Sequence, residues 1–109
     1  MRRRRHRLKI WLASVACLSA TVSLALAEPD RARLADLVTQ ECGSCHGLTM
    51  KGGLGRPLTR EALRDFPVDL VRDIILDGIP GTPMPPWRPL LSEQEATIIA
   101  DMLKNGTLP

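Results

Sequence analysis

Tyrosine is missing from this chain of 109 residues; phenylalanine occurs once and tryptophan twice. So few rings exclude a large core built on aromatic packing. Histidine is almost as scarce at two, and cysteine stands at three. No second Cys or His pair completes a four-ligand zinc site. Strand candidates are absent as well, so a thioredoxin-like dithiol in a βαβ setting has nothing to sit on. No internal repeat is visible.

What is present first is a leader. Six of the seven residues from Arg2 to Leu8 are basic, Lys9 follows, and an apolar run from Ile10 to Leu26 closes in Ala25-Leu26-Ala27. That order is the one expected of a secretory signal over residues 1–27, cleaved after Ala27. An uncleaved anchor is the alternative, because the run is just long enough to span a bilayer; its four serine and threonine residues weaken it. Lipid attachment at Cys17 is disfavoured by the small residues that precede it. Contact with a membrane is therefore expected only during export, into the periplasm.

The leader holds six of the fifteen lysine and arginine residues and none of the twelve acids, so residues 28–109 carry a net charge of −3. The basic pI belongs to the leader, and nucleic-acid binding is not expected. Cys17, His6 and Trp11 also leave with it. The remaining thiols and the remaining imidazole then fall together, as Cys42, Cys45 and His46 in "QECGSCHGLT". A disulfide between those cysteines would close a very short loop and constrain little. Covalent haem attachment uses all three residues: both thiols add to the haem vinyl groups and the histidine coordinates iron from the proximal side. One haem c per chain also answers the shortage of core, since a covalently held macrocycle is a large apolar body for short helices to pack on.

The pattern of apolar residues reads as all-α, with three to four short helices. Asp30 caps a helix from Arg31 to about Glu41, whose Leu34, Leu37 and Val38 share a face, so that the haem motif closes it. Residues 43–57, with five glycines, are expected to be irregular. Thr59 caps a short helical turn to Asp65, and Pro67 opens a helix to Asp77 with Val71, Ile74 and Ile75 inward and Gly78 as its stop. Residues 79–91 hold five prolines and form a loop. Ser92 and Glu95 make a capping box for a last helix ended by Asn105-Gly106.

The sixth position on the iron has one well-placed candidate. Met84 stands between Pro83 and Pro85, whose fixed φ angles stiffen the loop, whereas Met50 is four residues from His46 and Met102 lies on an apolar helix face. Asp65, Asp69, Asp73 and Asp77 recur every four residues and read as a solvated acidic face.

The segments "CGSCH", "KGGLG", "GTPMPPW" and the capped final helix resemble a class I c-type cytochrome over most of residues 30–105. More narrowly, "CGSCHGLTMKGGLG" and "ILDGIPGTPMPPWRPLLSEQEA" are similar to the small monohaem cytochrome c-55X group, found with cytochrome cd1 nitrite reductases of denitrifying bacteria. The resemblance implies a class I cytochrome c domain over 28–109, a monomeric one-electron carrier rather than an enzyme. Its redox partner would be the nitrite reductase, or the proteins that assemble its haem d1. Trp87 and Arg88 follow the ligand loop and are candidates for haem propionate contacts. If the fold follows the class, Lys51, Arg56 and Arg88 flank the haem crevice, and Gly52, Gly53 and Gly55 let a partner approach it.

Overall fold

The computed structural model describes residues 29–108, so the expected leader over 1–27 lies outside the described residues. Those residues contain helices and turns and no strand. The Asp30 carboxylate accepts from the amides of Ala32 (3.0 Å) and Arg33 (3.2 Å), which starts helix α1 (Arg31–Leu37) where the sequence places it. The rod does not stop near Glu41. It runs on through a π-helical turn (Val38–Cys42) into α2 (Gly43–His46) and ends only at Gly47. Gly43, expected in the irregular stretch, takes helical angles and is buried. The haem motif is thus itself helical and forms the last turn of the rod, and Cys42 and His46, four residues apart, share a face.

The turn capped by Thr59 forms, but the helix does not. The Leu63 amide bonds to the Thr59 carbonyl at 3.0 Å and the Ala62 amide to its hydroxyl at 3.3 Å, after which three-residue spacings take over. Lys104 explains why this segment can end without a helix. Its ammonium donates to the carbonyls of Leu63 (2.8 Å), Arg64 (3.4 Å) and Phe66, satisfying acceptors that a longer helix would have used.

Helix α3 (Val68–Asp77) begins one residue later than the sequence suggests, with Pro67 as the flanking residue, and stops at Gly78. Its carbonyls at Ile75 and Leu76 accept from the amides of Trp87 (3.1 Å) and Arg88 (3.0 Å), so the proline-rich loop folds back onto the helix end. Helix α4 (Glu93–Asn105) carries the expected capping box between Ser92 and Glu95 and ends at Gly106, which is left-handed. Glu95 also pairs with Arg33, tying α4 to α1. Its carboxyl is held below the usual range, chiefly by the hydrogen bond from the Ser92 amide.

Helix α4 packs on α3 and on α1. Leu34 and Val38 of the rod, Leu76 of α3 and Ile99 of α4 are wholly buried where they meet. Leu76 was not on the face read from the sequence, whereas Ile74, which was, is only half-buried. The aspartates are exposed, as expected of a solvated face. Arg72 offsets two of them by pairing with Asp69 (3.0 Å) and Asp73 (2.8 Å). No helix among the described residues is long and apolar enough to cross a membrane.

Candidate haem site

The three helical segments and two loops enclose a cavity of about 760 Å³. Its lining includes the end of the rod, with Cys42, Cys45 and His46, and the proline-rich loop, with Pro83, Met84 and Pro85. The lining is otherwise largely apolar, including Leu63, Phe66, Val71, Ile75 and Ile99. Ile74 is half-buried because it faces this space rather than the interhelical core.

His46 is oriented by backbone. Its Nδ1 lies 2.7 Å from the Arg56 carbonyl, which as an acceptor requires the proton on Nδ1, so that in the neutral ring Nε2 holds the lone pair able to ligate a metal. The loop that brings Arg56 there is fastened to the end of the rod: the Gly52 amide donates to the His46 carbonyl and the Gly55 amide to that of Cys45, both at 2.8 Å. Gly55 is packed so closely that a Cβ there would lie 2.7 Å from Cε1 of His46. Gly55→Ala is therefore expected to lower stability by about 1–3 kcal/mol through overpacking, read as a depressed thermal midpoint; an unchanged midpoint would show that the ring gives way freely. This contact gives the absence of a side chain at Gly55 a use within the chain itself, as room for the imidazole.

Met84 is held in a similar manner. The Ile79 amide donates to its carbonyl at 3.2 Å, and its own amide donates to the Thr82 hydroxyl at 3.3 Å. Gly78, at φ 67°, passes so near that a Cβ would meet the Met84 carbonyl oxygen at 2.7 Å. Neither Met50, buried in the core, nor Met102 is part of the cavity lining.

Cys42 and Cys45 are free thiols. Burial, then the nearby Glu41 carboxylate, pushes the Cys42 thiol up to about 11, so it stays protonated at neutral pH. Among the described residues no cluster of His, Cys, Asp and Glu has the geometry of a metal site of its own. The donor set is instead two thiols beside an oriented imidazole, with a thioether in the same largely apolar lining, and a covalently held haem fits it.

Trp87 lines the cavity, but Arg88 does not. The Arg88 guanidinium is turned to the surface, with Nε and Nη2 at 2.8 and 2.7 Å from Asp77 and Nη1 at 3.6 Å from Glu93. The structure therefore does not bring the expected pair together, and Arg88 joins the acidic face rather than the crevice cations. Arg56 does line the cavity, its guanidinium carbon 5.0 Å from the centre of the Phe66 ring. Lys51 is exposed on the same loop, with Leu54, 95% exposed, between them.

Residues 29–103 match the family model described as cytochrome c oxidase, cbb3-type, subunit III. The chain is 60% identical over 78 residues to cytochrome c55X of Paracoccus denitrificans, covering 69% of this chain and 76% of the relative. It is 45% identical over 100 residues to cytochrome c55X of Stutzerimonas stutzeri, covering 92% of this chain and 88% of the relative. The chain belongs to the cytochrome c55X family. Membership makes it a c-type cytochrome with covalently bound haem c, and its all-α fold is that of the class. Among solved structures it is similar to the c-type cytochrome NirC, at TM-score 0.71 and 48% identity over 73% of this chain and 98% of that one. It is also similar to part of the dihydro-heme d1 dehydrogenase NirN in complex with DHE, at TM-score 0.60 and 32% identity over 63% of this cytochrome but 15% of NirN.

The sequence placed Arg56 and Gly55 only at the edge of the crevice, as a flanking cation and an approach point, and did not mark Phe66 as part of the site. The Arg56 contact to His46 is made by a carbonyl, which every residue has, so side-chain identity carries no signal for it.

Proposed function

We propose that this cytochrome is a periplasmic one-electron carrier in denitrification, donating to cytochrome cd1 nitrite reductase. In this reading Cys42 and Cys45 hold the haem as thioethers, His46 is the proximal ligand and Met84 the distal one. The haem supplies the Fe(II)/Fe(III) couple. The chain's own part is to keep both axial ligands in place through the redox change, and the backbone-braced loops around His46 and Met84 support that role. An apolar lining favours the less charged Fe(II) state. The signal peptide over 1–27 and release of a monomer belong to the same proposal.

The observation that supports the reading is the presence of both iron-ligand types, the His46 imidazole and the Met84 thioether, in the lining of one largely apolar cavity, in a chain similar along most of its length to c55X proteins. A second reading, an accessory in haem d1 maturation, is supported by the likeness to part of NirN. Stopped-flow mixing of the reduced cytochrome with oxidised nitrite reductase separates the two. Rapid second-order oxidation that slows on Lys51→Glu at low salt is the expected result, with the difference erased near 0.1 M salt, where exposed charges are screened within about 10 Å. No oxidation by the reductase, together with rapid electron exchange with a haem d1 dehydrogenase, would replace the donor reading by the accessory one.

A further inference from the structure

Haem c brings two carboxylates, and the cavity lining offers them few donors. The Ser44 hydroxyl donates to the Glu41 carbonyl at 2.6 Å, the Thr82 hydroxyl to the Ile79 carbonyl at 2.7 Å, and His46 Nδ1 to the Arg56 carbonyl at 2.7 Å. Those three are committed. Among the described lining residues, the uncommitted side-chain N–H donors are the Trp87 indole and the Arg56 guanidinium, and Arg56 is the one cation.

Arg56 forms no ion pair with a carboxylate of the described residues. Its guanidinium lies over the face of Phe66, a ring that itself lines the cavity. A planar cation already stacked on an aromatic face keeps its edge N–H groups available and loses little further freedom on meeting an anion. Arg88 is in the opposite situation, since it would have to give up Asp77 and Glu93 first. Glu41, the one carboxylate in the described lining, is on the rod beside Cys42 and repels a haem carboxylate rather than holding it.

We propose that Arg56, not Arg88, supplies the guanidinium that holds a haem carboxylate, with the Trp87 N–H as the second donor. The proposal rests on the cavity being the haem site and is independent of the redox partner. Arg56 then acts on the iron from two atoms: its carbonyl orients His46, and its charge disfavours Fe(III) and raises the potential.

The haem-loaded full chain tests this in three variants, Arg56→Met, Arg56→Lys and Arg88→Met, by spectroelectrochemical titration and reduced-minus-oxidised infrared difference spectra without any partner. Arg56→Met is expected to shift the midpoint potential down and to displace a haem carboxylate band, with the low-spin visible spectrum retained. Arg56→Lys should recover part of the potential and show a smaller band displacement, and Arg88→Met should change neither. A lowered potential with an unmoved carboxylate band in Arg56→Met would overturn the proposal, because the carbonyl that orients His46 is retained and Arg56 would then act only by its charge through space. A displaced band in Arg88→Met would overturn it too. If Arg56→Met fails to hold haem, an unmoved band in Arg56→Lys decides against the proposal. Absence of haem from the unsubstituted protein would instead remove the cavity assignment.

Discussion

Replacing both Cys42 and Cys45 by alanine is expected to yield a chain without covalent haem that is largely unfolded. Leu63, Val71, Ile75, Leu91, Ile99 and Leu103 belong to the hydrophobic core and also line the cavity. Filling the cavity and completing the core are therefore one event. An unfilled apolar cavity costs about 24 cal/mol per Å³. A cavity of about 760 Å³ left without its haem is large against the core that surrounds it, and the entire stability of a small domain is only about 5–15 kcal/mol. Far-ultraviolet circular dichroism and acid-acetone extraction check both halves. A double variant with the helical signal of the parent, or a parent protein whose haem is extracted, contradicts the expectation.

The second large effect is at Met84. Met84→Ala should convert an inert low-spin iron into one that binds carbon monoxide or cyanide readily, lose the weak far-red sulfur-to-iron absorption, and fall in potential. The loop itself should survive, because it is held by backbone contacts: the Met84 carbonyl accepts from Ile79, and the Trp87 and Arg88 amides bond to the end of α3. The substitution thus removes a thioether and leaves its frame. A variant with unchanged spectrum and no new affinity for carbon monoxide would mean that another group ligates the iron.

The legible parts of this protein are those fixed by near neighbours. The capping box of Ser92 and Glu95, the Asp30 cap and the stops at Gly78 and Gly106 are each decided within four residues. The placement of Cys42, Cys45, His46 and Met84 on one cavity was readable because a five-residue motif and two prolines mark them. What escaped depends on distant partners. The rod continues through Gly43 because its backbone tolerates helical angles and its neighbours bury it, which glycine content alone argues against. Arg88 was assigned to the crevice by its nearness to Met84 in sequence, but Asp77 and Glu93, eleven residues before and five after, take its charge. Lys104 reaches back about forty residues to close the 59–66 turn, a contact no periodicity announces.

That last contact has a consequence for the order of events in a newly made chain. The thiols at Cys42 and Cys45 emerge early, whereas the ammonium that clamps Leu63 and Phe66 is carried by the final turn of the final helix. Until Lys104 arrives, the floor of the cavity has no latch. A chain that emerges from its amino end therefore presents Cys42 and Cys45 to haem before Lys104 can close the 59–66 turn.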